Sequence, residues 1–364
     1  MTLVSCALEN IRGGKQDRTC SRKMSVARRQ SVENYVKIWS ALKALVLLAM
    51  LVSGVTAHAA DMNIRVFRIN DYLLCFYVGR PAEATVKPGD NPDFGAYNVG
   101  VATYVIYRGD HALVYDTFAS VAEAKWVRDY LLKAGIRHFV VVNSHSHLDH
   151  VGGNAVYADS DLIATEKTRQ NLIANKAAIK AGTTLEGPPG IASLLIPNIG
   201  ITADTVYMVG DIRAQLRPIG IHTADGLVIY LPADHILLAG DTVEDTVTWI
   251  AEPDRIPEQY RNLLAMQQWG IDRIFPNHGN PDVIAHGGYQ TTLIDFTRHY
   301  LRRMVEHAHD ADFLGQSLDS YIGDAVRQGT VSVWWAYREA HEANLAEVAK
   351  AWKDRPLPDL GPQP

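Results

Sequence analysis

The stretch VVVNSHSHLDHVGGN, Val140–Asn154, places three histidines and an aspartate within six positions, directly after a run of β-branched apolar residues. Such a run reads as a buried strand, and the residues after it as the loop at its end, where side chains can do chemistry on a rigid frame. Along extended backbone alternate side chains share a side, so His145, His147 and Asp149 are expected on one side and His150 on the other. One loop then offers two groups of ligands, and neutral imidazole with carboxylate suits Zn2+ when no thiolate is at hand. A single loop histidine is ordinarily a solvated side chain. With 14 His and 27 Asp in 364 residues, however, the pattern HxHxDH arises by chance in on the order of one such chain in a thousand. Gly152 and Gly153 are expected to let the backbone turn tightly beneath a metal, although a glycine pair also marks an ordinary turn.

A metal site needs further ligands, and other strand ends supply them. His222 stands between two strand-like runs in RPIGIHTADGLVIYLP, Asp241 ends the apolar run of HILLAGDTV, and His278 ends that of DRIFPNHGN. Singly, each reads as a turn residue. Together, in that order after the first motif, they read as a ligand set. Asp116, at the end of HALVYDT, is a candidate to hold a ligating imidazole from behind, or else a turn acid. Trp249, in TVEDTVTWIAEPDRIPEQY after Asp241, is a candidate wall for a substrate pocket, or else core.

The rest of the chain sets the frame. It is 47% hydrophobic with a formal net charge of −5, enough apolar material for a large core in one or two domains. Residues 1–59 hold nine Lys/Arg against three Asp/Glu, which leaves 26 basic and 37 acidic residues beyond them. An acidic body has no use for phosphate backbones, so nucleic acid is not an expected partner. The basic start has its own reading. Arg28, Arg29, Lys37 and Lys43 precede the apolar run ALVLLAMLV, Ala44–Val52, and Ala57-His58-Ala59 has the small-x-small form of a cleavage site. This describes a signal peptide over 1–59 cleaved after Ala59, with Met1 or Met24 as the start, and a periplasmic or secreted product that no longer meets the membrane. The run is short of the about 20 residues that span a bilayer; the alternative is an uncleaved anchor. Cys6 and Cys20 fall in this leader, so Cys75 is alone in the mature chain and no thiolate metal site can form.

The organisation is readable at low detail. NIRVFRI and YLLCFYV read as a strand pair, and ATYVIYRGDHALVYDT as a hairpin turning at Gly109-Asp110. SVAEAKWVRDYLLKAG is a helix opened by a Ser120/Glu123 capping box and stopped by Gly135. RHFVVVN and DLIAT are strands, and EKTRQNLIANKAAIKAG is a helix. Residues 183–203, rich in Gly, Pro and Thr, read as irregular. DTVYMVG, IRAQLRPIG, GLVIYLP and HILLAGD are strands, PEQYRNLLAMQQWG is a helix, DRIFPNHG runs from strand to loop, and helices follow from about Gln290. Strands and helices repeated in this order predict two halves whose sheets stack between helices. The amphipathic segment SVWWAYREAHEANLAEVAKAW is expected to pack on this body, with covering the site or joining a dimer as the other readings.

The series SHSHLDHVGGN, IHTADGLVIYLP, LLAGDTV and FPNHGN resembles the metallo-β-lactamase superfamily of dinuclear zinc hydrolases, over roughly Tyr97–Arg303. The resemblance implies an α/β fold, a four-layer αββα sandwich over residues 60–310, with a C-terminal helical extension over 311–364. It implies two Zn2+ per chain: His145, His147 and His222 on one, Asp149, His150 and His278 on the other, and Asp241 bridging both. Asp149 would also act in catalysis by orienting the nucleophile and relaying its proton. The activity implied is hydrolysis of an acyl bond in a small-molecule substrate by a metal-bridging hydroxide, with a β-lactam or lactone favoured over a thioester because the protein is exported. Two departures bear on this. Antibiotic-degrading members often carry Cys or Ser near the position of Asp241, and cytosolic thioesterases usually read GHTPGH where this chain reads IHTADG. An iron-dependent sulfur dioxygenase on the same fold is the first alternative, and all seven ligands being present argues against it. A non-catalytic zinc protein for structure or sensing is the second; such sites are closed and thiolate-rich. Oligomeric state is left open.

Overall fold

The computed structural model describes residues 63–83 and 94–361; the expected leader over 1–59 lies outside the described residues. Near-continuous apolar runs, buried on both faces, form the central strands of a seven-stranded sheet in sequence order: β1 (Arg65–Arg68), β2 (Leu73–Val78), β3 (Val101–Arg108), β4 (His111–Tyr115), β5 (His138–Val142), β6 (Asp161–Thr165) and β7 (Ile199–Ile201). β1 to β4 pair antiparallel and β4 to β7 parallel. The second half forms β8 (Thr205–Val209), β9 (Ile212–Pro218), β10 (Leu227–Leu231), β11 (Ile236–Gly240) and β12 (Arg273–Pro276), a five-stranded sheet that is antiparallel except for β11 with β12. The helices are α1 (Phe94–Val99), α2 (Val121–Lys133), α3 (Leu148–Val151), α4 (Glu166–Ala181), α5 (Ile256–Met266), α6 (Pro281–Ala285), α7 (Thr292–Glu306), α8 (Ala311–Leu314), α9 (Leu318–Arg327) and α10 (Tyr337–Trp352).

Alternation along the first sheet sorts its side chains into two layers. Cys75, Tyr77, Tyr104, Ile106, Leu113 and Val142 join one core with the second sheet. Phe76, on the opposite face of β2, packs edge-on against Trp126 and Tyr130 of α2, with ring centroids 6.3 and 5.3 Å apart. The order is therefore helix, sheet, sheet, helix, as expected for the αββα sandwich. Parallel pairs force this arrangement, because each needs a crossover and the crossover helix covers a face. α2 opens as the capping box predicts: Ser120 Oγ accepts the Glu123 amide at 3.2 Å and donates to the Glu123 carboxylate at 2.8 Å.

Three buried tyrosines of the first sheet lock it to the loops of the second. Tyr77, Tyr104 and Tyr115 each donate a 2.6 Å hydrogen bond, to the carbonyls of Gly279, Pro276 and Leu227. A buried hydroxyl needs a partner, so these bonds fix how the two sheets meet. Their meeting line is where the candidate ligands lie.

Two expectations are corrected. Residues 183–203 are irregular for most of their length but add β7 to the sheet edge; three residues among glycines and prolines carry no readable period. The metal-ligand motif is not extended. It bends after β5 and enters α3 at Leu148, so the alternation expected for His145, His147 and Asp149 does not apply. The glycines that follow have a packing role. A Cβ on Gly152 would lie inside contact distance of the Ala119 carbonyl, and one on Gly153 would meet Ala124 and the Thr117 carbonyl. Gly152→Ala should therefore destabilise the fold by about 2 kcal/mol or more in urea unfolding, since neither backbone can give way cheaply. Unchanged stability would show that the loop after β4 is not packed on the motif.

Candidate metal centre

Four strand or loop ends deliver the seven residues. His145 and His147 lie in the bend after β5, and Asp149 and His150 on α3. His222 lies between β9 and β10, Asp241 follows β11, and His278 follows β12. They converge as two groups, His145, His147, His222 and Asp241, and Asp149, His150, Asp241 and His278, with ligand atoms inside each group within 4.8 Å of one another. Asp241 belongs to both. Its Oδ2 lies 3.0 Å from His150 Nε2, 3.2 Å from His278 Nε2, 3.5 Å from His145 Nε2 and 3.8 Å from His222 Nε2. Asp149 Oδ2 is 3.1 Å from His150 Nε2 and 3.2 Å from His278 Nε2. Asp149 thus joins His150, and the helical turn of α3 rather than strand alternation is what pairs them.

These residues fit a metal. Tetrahedral Zn2+ with bonds of about 2.0–2.1 Å has ligand atoms about 3.3 Å apart, the separation seen around Asp241. His145 Nε2, Asp149 Oδ2 and Asp241 Oδ1 are buried and have no hydrogen-bond partner, a costly condition unless a cation completes them. The donor set is imidazole and carboxylate throughout.

The electrostatics point the same way. Burial drives the His145 imidazole well below its usual pKa and His222 down to about 3, which keeps both neutral and able to ligate. Burial opposes charge on His150 and His278 too, but the surrounding carboxylates outweigh it and hold both well above the usual value. Burial alone would raise the Asp241 carboxyl; the charges of His150 and His278 hold it well below the carboxylate range. Positive charge is what this cluster demands, from protons or from metal.

Two of the imidazoles, His150 and His278, are aimed by their neighbours. His150 Nδ1 is 2.9 Å from Asp116 Oδ2, and Asp116 also accepts from the Ser144 amide and the Asn277 side chain, both at 2.7 Å. Asp116 has φ of 68°, a conformation that turns its carboxylate inward and that Asp and Asn tolerate best among non-glycine residues. His278 Nδ1 donates to the Gly100 carbonyl at 2.7 Å, which leaves Nε2 free to ligate. Trp249 lies beside His147 and His222, with ring centroids 5.7 and 6.2 Å away. It lines a pocket of about 470 Å³ into which His147, Asp149, His222, Asp241 and His278 also face.

Several contributors were not read from the sequence. Asp225 accepts the Ser146 amide at 3.1 Å and Glu186 the Leu148 amide at 2.6 Å, so both hold the motif loop. Glu244 is buried at the pocket, its carboxyl pushed up to about 8 by burial, with the Trp249 amide at 3.0 Å and the Tyr337 hydroxyl at 3.0 Å. Asn277 stands next to His278, a hint available in the sequence; Glu244 and Glu186 gave none.

Residues 96–278 match the model of the metallo-β-lactamase superfamily, about half of the chain and the part that holds all seven residues. The chain belongs to that superfamily. Among solved structures it is similar to VMB-1, at 17% identity and a TM-score of 0.48 over 65% of this chain and 95% of that one. It is also similar to a metallo-β-lactamase from Pontibacter korlensis, at 20% identity and a TM-score of 0.46 over 64% of this chain and 99% of that one. The DIM-1 metallo-β-lactamase exposed to ceftazidime gives 18% identity and a TM-score of 0.46 over 64% and 96%. A comparison with curated proteins gives no match.

Asp116→Asn keeps the backbone conformation but weakens the hold on His150. Metal affinity should fall about 10–100-fold in competition with a chromophoric chelator. An unchanged affinity would remove Asp116 from the centre.

Proposed function

We propose that the protein is an exported, dinuclear zinc hydrolase that opens an acyl bond of a small molecule. The observation that carries the proposal is Asp241 Oδ2, within 3.0–3.8 Å of four imidazoles from both ligand groups, at the base of an open pocket. Structural zinc sites are closed. This one faces a cavity, which supports catalysis over a structural or sensing role. Membership of the superfamily supports the hydrolase reading, and seven ligands support two ions over the single iron of a dioxygenase. Export rests on the charged, apolar and small-residue sequence of the leader.

When bound, two zinc ions would supply Lewis acidity, activating water near neutral pH and polarising an acyl carbonyl. The chain's own residues do the rest. His145, His147 and His222 would hold one ion and Asp149, His150 and His278 the other, with Asp241 shared. Asp149 Oδ2, buried and without a hydrogen-bond partner, is the group able to take the proton of the attacking water. The water oxygen bonds to the acyl carbon, the acyl C–O, C–N or C–S bond breaks, and the leaving group receives that proton. Asp116, Ser144 and Asn277 keep His150 in one orientation. Trp249, held through its amide by Glu244, shields the site from bulk water.

Asp241→Asn removes the shared charge while keeping nearly the same volume. Turnover by exported protein, with its N-terminus checked by mass spectrometry to lie near Ala60, should fall about a hundredfold or more. The melting temperature should drop only modestly. His235→Ala is the control, because His235 sits in the turn between β10 and β11 and contacts Gly270, not the cluster. Wild-type turnover in Asp241→Asn would exclude the dinuclear mechanism.

A further inference from the structure

Beyond its metal-facing floor, much of the pocket lining is apolar. Val99 of α1 closes one side, and Ala336, Ala340 and Ala343 close the other. Those alanines recur at spacings of four and three, so the start of α10 turns one methyl-lined face to the cavity. Leu185 also lines the pocket while 88% exposed, an apolar side chain left in water. At the base, Asp149 Oδ2 and Asp241 Oδ1 are buried without a hydrogen-bond partner, so the apolar cavity ends at the reactive groups.

The titratable groups in the walls are all acids. Glu186, Glu244 and Glu339 line the pocket outside the ligand set, and no Lys or Arg does among the described residues. An anionic group placed against those walls, away from the metal-facing floor, would lose its hydration and meet acidic side chains, with no Lys or Arg to pair it. An apolar group would be stabilised by leaving water, at a contribution that grows with each methylene buried.

Resting on the hydrolase reading above, we infer that the substrate is an uncharged acyl ester, open or ring-closed, whose apolar arm lies along the alanine face of α10. Water adds across its acyl C–O bond to give a carboxylic acid and an alcohol. The C-terminal extension is then part of the specificity pocket. Among the acyl compounds named for this site, a carboxylate-bearing β-lactam is the poorer fit and a neutral lactone the better one.

The test uses zinc-loaded protein and p-nitrophenyl esters that share one head and differ in the arm. From acetate to butyrate to hexanoate, kcat/KM should rise by about threefold per methylene until the cavity is filled. The monoadipate and 6-aminohexanoate esters, with anionic and cationic arm ends, should each fall at least about tenfold below hexanoate. Ala340→Phe should lower the hexanoate-to-acetate ratio about fivefold or more, whereas a merely structural helix would lower both esters alike. Should that variant misfold, Glu339→Arg, at the solvent-exposed part of the pocket lining, should raise the adipate ester relative to hexanoate. Equal rates across all arms, or a preference for either charged arm, would overturn the inference. If no ester is turned over, the ester assignment is overturned while hydrolysis of an acyl C–N or C–S bond stands as a separate reading. Calorimetry with hexanamide and acetamide then decides the pocket: tighter hexanamide supports it and equal binding overturns it.

Discussion

A carboxylate oxygen buried among four imidazole nitrogens is the feature on which the rest of the molecule depends. Asp241 Oδ2 can sit there only if its charge is matched, because an uncompensated carboxylate in the interior costs several kcal/mol. Both sheets converge on that requirement. β5 with α3, the β9–β10 loop and β12 bring the imidazoles in from separate directions, and β11 brings Asp241. The three inter-sheet tyrosine bonds keep those strand ends in register with one another. A shift between the sheets would split each group, because both groups draw residues from each sheet.

The C-terminal helices belong to the same construction. Tyr337 bonds Glu244, and Asn344 accepts the Ile250 amide at 2.8 Å and donates to the Thr248 carbonyl at 2.8 Å. Arg80 and Asp245 form an ion pair at 2.7 Å, nearly dry on both sides, and Asp245 also accepts the Ser332 amide. The loop that follows Asp241 and carries Trp249 is therefore held from both sides. Apolar packing alone would not fix a loop of this kind; its backbone groups need partners, and the C-terminal segment provides them. Packing of this segment on the body and contact with the pocket, two readings that the sequence kept apart, are met by one helix.

The ligand set was legible because each member ends an apolar run, and a run of β-branched residues announces a strand wherever it occurs. His222, Asp241 and His278 needed no contact information to be noticed. What connects them was hidden. Glu244 and Tyr337 are 93 positions apart, and Tyr104 and Pro276 are 172 apart, with no local period to relate them. α1, α3 and α6 are six residues or shorter, too brief for helical spacing to emerge. The motif itself was misread as extended because its apolar lead-in continues the strand pattern, while the turn into α3 is set by Glu186 bonding the Leu148 amide from a distant loop. Residues that bind are visible in such a chain; residues that aim them are visible only in the fold.

The central claim is that one carboxylate joins two metal sites. Elemental analysis of purified protein, paired with chelator titration, tests it most directly. The account predicts close to two transition-metal ions per chain, zinc by preference, with Asp241→Asn losing affinity at one or both. A single redox-active iron, or full retention of both ions by Asp241→Asn, would contradict it.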